Sequence, residues 1–305
     1  MNTVLITTSS FAVDSPALLK QLEASGLQVV LNPLKRKLTE EEATNLLQQH
    51  KPVGMIAGVE PLTRSVLAAA DGLRAISRCG IGLDSVDLAA AKELGITVTN
   101  TPDAPTVPAA ELALGLILSL LRGIPASDSG IRQSRWVRPM GRLLQHKTVG
   151  IVGCGRIGSR LAKMLSSMEC RVLGGDPACP VNDHFELVEL EKLLAEADII
   201  SLHLPYTAQT HHFMDAKRLA MMKPGSYLIN AARGGLVDED ALYQALQSGH
   251  LAGAALDCFE QEPYQGPLTE LENVVLTGHV GSYAREGRVR MEEQAVENLI
   301  RELQS

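Results

Sequence analysis

The strand-like run Thr148 to Val152 leads straight into Gly153-Cys154-Gly155-Arg156-Ile157-Gly158, and no other stretch narrows the choice of fold so far. A GxGxxG hexapeptide alone is weak, because glycines are common in turns. Here it follows an apolar β-branched run and opens a helical pattern read over Ser159 to Ser166. In that register the first glycines let the backbone approach a pyrophosphate at a helix N-terminus, and Gly158 lets the helix pack closely on the sheet. Eighteen residues beyond Gly158, at the end of the next strand-like run, stands Asp176. An acid there accepts hydrogen bonds from ribose hydroxyls and repels a 2′-phosphate, so NAD is expected in preference to NADP. Arg156 and Arg160 are the features that favour the phosphorylated cofactor. The plainer alternative, a glycine turn with Asp176 as a helix cap, leaves the shared register of strand, glycines, helix and acid unexplained.

Strand-like and helical segments alternate along the rest of the chain, which predicts an α/β fold with parallel sheets. From Thr148 the strands read TVGIVG, RVLGGD, DIISLHL, SYLIN, GAALD and NVVLT, enough for a Rossmann-like doubly wound sheet. At 305 residues the chain exceeds what one core usually serves, about 250 to 300 residues. The expected division is a dinucleotide-binding domain over 101–283, inserted in a substrate domain made of 1–100 and 284–305. Pro102, Pro105 and Pro108 precede a helix that is apolar nearly all round, Leu112 to Leu121 included. Such a helix is buried either inside one subunit or against a second copy, and the second reading gives a homodimer.

Composition removes several classes. The formal charge of −7, without clustered Lys and Arg, argues against nucleic acid. Leu112 to Leu121 is about half the roughly 20 residues a membrane span needs, and the start, MNTVLITTSSFAVD, reads as a first strand and not as a leader. Five cysteines with no CxxC pair suggest neither a disulfide framework nor a metal site, and a cytoplasmic location is expected.

Three polar residues stand just past later strands: Arg233 after SYLIN, Glu262 after GAALD and His279 after NVVLT. In an open α/β sheet ligands bind outside the carboxyl ends of the strands, the edge that also carries Gly153 and Asp176. Reducing a 2-oxo acid needs a cation for its carboxylate, a proton donor for the carbonyl oxygen, and a group that keeps that donor charged. Arg233 can hold a carboxylate through two parallel hydrogen bonds. His279 can give and take a proton near neutral pH, and Glu262 would stabilise the imidazolium and orient the ring. Each residue alone also fits a surface ion pair, a loop or a core gap.

With these residues in view, the sequence resembles the D-isomer-specific 2-hydroxyacid dehydrogenases, most closely their phosphoglycerate dehydrogenase branch. The likeness runs through SRCGIGLDSVDLAAAKELGITVTNTP (77–102), GIVGCGRIG (150–158), LHLPYTAQT (202–210), MKPGSYLINAARGGLVDEDAL (222–242), GAALDCFEQEP (253–263) and TGHVGS (277–282). It implies that Arg233, Glu262 and His279 are the catalytic set. It implies a cofactor site of Gly153, Gly155, Arg156, Ile157, Gly158, Asp176, His203, Pro205, Thr210, Ala231, Asp257 and Gly281, with Asp257 near the nicotinamide carboxamide and His203 and Pro205 at the adenine. Cys79, Gly80 and Ile81 match a loop that binds the substrate carboxylate, beside Arg233 and His279. The resemblance further implies a flavodoxin-like substrate domain, a dimer built on the cofactor domains, and a small 2-hydroxy or 2-oxo acid substrate.

The sequence departs from the phosphoglycerate branch in an early loop, where a phosphate-binding arginine is expected and Ala57 and Gly58 stand. Arg78, Arg135, Arg138 and Arg142 are the remaining candidates for a second anion. The chain ends at Ser305, so feedback through a C-terminal serine-sensing domain is not expected. Formate and phosphite dehydrogenases resemble the same family, and Glu262 argues against the former. The alternative from another class is a non-catalytic NAD-sensing regulator of the same fold.

Overall fold

Parallel strands covered on both faces read as unbroken apolar runs, and the first strand shows why. In β1 (Asn2–Ile6), Val4 and Ile6 face one core while Leu5 faces another, the period-2 alternation of a sheet buried on both sides. The computed structural model describes residues 2–179 and 182–304. It divides into two units, Met1–Pro105 with Ser282–Ser305, and Thr106–Gly281.

In the first unit β1, β2 (Leu27–Leu31), β3 (Gly54–Ala57), β4 (Ala75–Arg78) and β5 (Thr97–Asn100) form one parallel sheet in the order β2-β1-β3-β4-β5. This is the flavodoxin-like order. Leu5, Met55, Ala57 and Ile76 pack on one face, Val4, Ile6, Ile56 and Ala75 on the other. The helix Arg285–Gln304 lays Met291, Ala295, Val296 and Leu299 into the second of these cores. Gly54 sits so close beneath it that an added Cβ would lie 3.0 Å from Leu299.

The second unit contains β6 (Thr148–Val152), β7 (Arg171–Gly175), β8 (Glu186–Leu187), β9 (Ile199–Leu202), β10 (Ser226–Asn230), β11 (Leu251–Leu256) and β12 (Val274–Leu276). They pair in parallel in the order β12-β11-β10-β9-β6-β7-β8. The doubly wound α/β class expected from the sequence is therefore observed, with seven strands in this sheet where six were read. The extra strand, β8, has two residues and both are exposed, too short for a periodic signal. The chain leaves β6 in one direction through β7 and β8, then returns past β6 to β9. That reversal creates a switch point between β6 and β9, where such sheets bind ligands.

The strand register states which residues share that edge. Val152 pairs with Gly175 and with Leu202, Leu202 with Asn230, Asn230 with Leu256, and Leu256 with Leu276. The residues that follow these strand ends, Gly153, Asp176, His203, Ala231, Asp257 and Thr277, thus emerge along one side of the sheet.

The apolar helix spans Thr106–Arg122 and buries Ala110, Ala113, Ile117 and Leu121 against the helix Arg156–Ser167 and the sheet. Burial within the subunit therefore accounts for this face. The following segment is different: Ile124, Ile131, Trp136, Met140 and Leu143 are all exposed, Trp136 at 80% and Met140 at 98%. Among the described residues no single helix is long and apolar enough to cross a membrane.

Candidate active site

The glycine motif folds as a tight cradle. The helix begins at Arg156, earlier than the Ser159 read from periodicity, because the apolar spacing does not register its first turn. Gly155 is its N-cap, no side chain caps it, and the first turn carries no acid. A Cβ on Gly158 would lie 2.1 Å from the carbonyl oxygen of Gly153, so only glycine allows this approach of helix to strand. A Cβ on Gly155, in contrast, would meet nothing within 4 Å, so open space lies where a pyrophosphate is to be received. Asp176 holds the opposite wall: one carboxylate oxygen accepts the amide of Cys154 at 2.9 Å, the other the amide of Ala178 at 2.9 Å. A carboxylate has about four acceptor sites, so two remain for ribose hydroxyls. An uncapped helix end, an open glycine and an acid at the next strand end fit a dinucleotide.

His203 lies on the neighbouring strand end, with its backbone carbonyl against Gly153 and its Nε2 2.9 Å from the Ser201 hydroxyl. Burial pushes its imidazole down to about 4, so the ring is neutral and serves as packing and as a hydrogen-bond partner. Thr210 closes the turn after it, donating to the Pro205 carbonyl at 2.8 Å and accepting the Thr207 amide at 2.8 Å. Pro205 and Thr210 thus act together, as one turn.

Arg233, Glu262 and His279 are all in this unit. His279 Nδ1 lies 3.0 Å from each carboxylate oxygen of Glu262, and both side chains keep more than a third of their surface exposed. Glu262 is itself anchored by the Phe259 amide at 3.2 Å. Arg233 starts the short turn Gly234–Leu236. Gly234 lets that turn press on the Glu262 loop, since a Cβ there would fall 1.9 Å from the carbonyl carbon of Phe259. Cys79, Gly80 and Ile81 belong to the first unit, where the Gly80 amide donates to the Thr101 hydroxyl at 2.8 Å and the Asn100 side chain to the Ile81 carbonyl at 2.7 Å.

Sequence reasoning missed Asn230, and it missed that Asp257, expected at the nicotinamide, also helps to hold this set in place. Asn230, fully buried at the end of β10, donates to the Arg233 carbonyl at 2.8 Å and accepts the Ala232 amide at 3.1 Å. Asp257, also fully buried, accepts the Thr277 hydroxyl at 2.6 Å, the Val280 amide at 2.9 Å and the Gly281 amide at 2.8 Å, and its carbonyl accepts the His279 amide at 2.7 Å. These bonds tie down a turn in which His279 takes a left-handed backbone, φ 56°. For Asn230 the available signal was a polar residue at the buried end of the otherwise apolar strand SYLIN.

A dinucleotide cradle and a histidine–glutamate pair on one edge of a doubly wound sheet define a nucleotide-dependent oxidoreductase class. The NAD-binding domain of the D-isomer specific 2-hydroxyacid dehydrogenases matches residues 114–281. The chain is 36% identical over 293 residues to a hydroxypyruvate reductase from Thermotoga maritima, covering 92% of this chain and 96% of the relative. It is 36% identical over 279 residues to a D-3-phosphoglycerate dehydrogenase from Synechocystis sp., covering 89% of this chain and 50% of the relative, so it spans about half that protein's length. The solved structure of the TT0316 protein from Thermus thermophilus superposes with a TM-score of 0.91 at 38% identity, covering 99% of this chain and 97% of that one. The chain belongs to the D-isomer specific 2-hydroxyacid dehydrogenase family.

Proposed function

We propose that the protein is an NAD-dependent oxidoreductase that interconverts a small D-2-hydroxy acid and its 2-oxo acid, and that the 2-oxo acid is of the glyoxylate or hydroxypyruvate kind. The observation that carries the reaction is the His279–Glu262 pair, 3.0 Å apart at the strand-end edge that also bears the cradle and Arg233. Arg233 binds the substrate carboxylate through its planar guanidinium. Glu262 occupies the Nδ1 side of the ring and leaves Nε2 to hand a proton to the substrate oxygen in reduction, or to take it back in oxidation. Glu262 also stabilises the charge that His279 carries when protonated. Bound at the cradle, the nicotinamide supplies or accepts the hydride at C2.

The choice among substrates rests on the early loop. Ala57 is 1% exposed, and beside it Glu60, also 1% exposed, turns its carboxyl group onto the Gly58 amide at 3.0 Å and onto the Thr7 hydroxyl. A buried carboxyl group where the phosphoglycerate branch is expected to carry a cation favours a substrate without phosphate. Steady-state NADH oxidation tests both parts. Hydroxypyruvate or glyoxylate should exceed phosphohydroxypyruvate in kcat/KM, and His279→Ala should lower kcat by about 10² to 10⁴ with NADH affinity unchanged. A preference for the phosphorylated acid would overturn the substrate choice, and an undiminished kcat in His279→Ala the catalytic reading.

A homodimer through the segment from Ile124 to Leu143 is part of the same reading. Trp136, Met140 and Leu143 expose contiguous chain of a kind that a second copy covers. A cytoplasmic location accords with five cysteines, none in a disulfide.

A further inference from the structure

Cys258 is the residue at this site for which the proposed reaction has no use. It follows Asp257 at the end of β11, is 1% exposed, and its thiol donates to the Ala232 carbonyl at 3.5 Å. Its sulfur, a carboxylate oxygen of Glu262 and a ring nitrogen of His279 all lie within 4.8 Å of one another. Thiolate sulfur, imidazole nitrogen and carboxylate oxygen together suit zinc and similar borderline-soft divalent cations, whereas magnesium and calcium prefer oxygen alone.

The spacing is near what such an ion requires. Bonds of about 2.0 to 2.3 Å in tetrahedral array place ligand atoms about 3.3 to 3.8 Å apart. The His279–Glu262 contact of 3.0 Å has only to open slightly, and the sulfur has to move in by about 1 Å at most. Glu262 and His279 are 35% and 39% exposed, so an ion reaches the trio from their side while the sulfur waits beneath.

We infer that Cys258, Glu262 and His279 form an inhibitory site for a zinc-class divalent cation. The ion displaces the thiol proton of Cys258 and takes the place of the Nδ1 proton that His279 shares with Glu262, with no change of oxidation state. His279 is then held as a cation-bound imidazole, without its carboxylate partner, and loses its exchange of protons with substrate. Binding at the trio stands on its geometry alone, while the inhibitory consequence rests on the proposed role of the His279–Glu262 pair.

The test uses the full chain as wild type, Cys258→Ala and Cys258→Val, the valine refilling the buried volume should alanine destabilise the fold. Co²⁺ is titrated and followed by its near-ultraviolet thiolate charge-transfer band, and Zn²⁺ is titrated against NADH oxidation. Wild type should bind one Co²⁺ with the band and both variants should lack it. Without metal the variants should turn over as wild type does, and half-inhibition by Zn²⁺ should move up by about tenfold or more. No band in wild type, or equal Zn²⁺ inhibition in all three, overturns the site. A band lost in both variants, with no turnover of any 2-oxo acid by wild type, would leave the site standing and sink the functional reading instead.

Discussion

Two helix N-termini in this molecule face the same electrostatic problem and solve it in opposite ways. At Glu40–His50, Thr39 and Glu42 form a reciprocal capping box, with the Glu42 amide 3.3 Å from the Thr39 hydroxyl and the Thr39 amide 2.9 Å from the Glu42 carboxylate. Glu40, Glu41 and Glu42 crowd the first turn, and Arg36 grips Glu42 through two bonds of 2.6 and 2.9 Å. At Arg156–Ser167 the cap is Gly155, no side chain closes it, and the first turn is basic at Arg156. Both ends present the same positive pole of a helix. The first is neutralised by its own chain; the second is kept open, stability there being traded for a place to hold an anion.

Closing the open end should have the largest effect. Gly158→Ala forces a Cβ to within 2.1 Å of the Gly153 carbonyl, and NADH affinity read by fluorescence titration should fall by about a hundredfold or more. Wild-type affinity in that variant would mean the helix does not form the cradle. Making the open end resemble the closed one is the next step. Arg156→Glu places an acid in the first turn, and NADH affinity should drop about tenfold, more steeply at low salt. A tighter complex would show that the pyrophosphate lies elsewhere.

The closed end should answer in stability and not in binding. Thr39→Ala should cost about 1 kcal/mol in denaturant unfolding with NADH affinity unchanged. A parallel loss of affinity would break the contrast between the two ends. The smallest effect is one of pH. The Arg36 guanidinium, then the Thr39 amide, hold the Glu42 carboxyl at about 2, below its ordinary 4.5. Its contribution is therefore present above about pH 4.5 and lost as pH falls towards 2. Thermal melts of Glu42→Gln should lie below wild type at pH 6 and converge with it towards pH 2; a constant gap across that range would assign the effect to packing.

The glycine cradle was legible because its parts are close in sequence and each has a steric or chemical reason: Gly158 touches the strand end five residues before it, and Asp176 directly follows the very next strand. Arg233, Glu262 and His279 were legible as strand-end polar residues. What escaped was their support. Asn230 looks like an ordinary strand-end residue and Asp257 was legible only as a cofactor contact; folding alone shows that Asn230 braces the arginine turn and Asp257 knots the turn of His279. The cysteine spacing suggested no metal site, and only the fold sets the Cys258 sulfur within 4.8 Å of two side chains the chain carries 4 and 21 residues further on.

Sequence by itself determined the alternation of strands and helices, the parallel sheets buried on both faces, and the cofactor cradle, because these follow from periodicity and from contacts between chain neighbours. The tertiary structure alone decided the strand order and the register by which the ends of β6 to β12 line up. It also decided the 3.0 Å meeting of His279 with Glu262 and the placing of Trp136 and Met140 in solvent. Those outcomes depend on register and on packing between segments far apart in the chain, and local pattern carries no record of either.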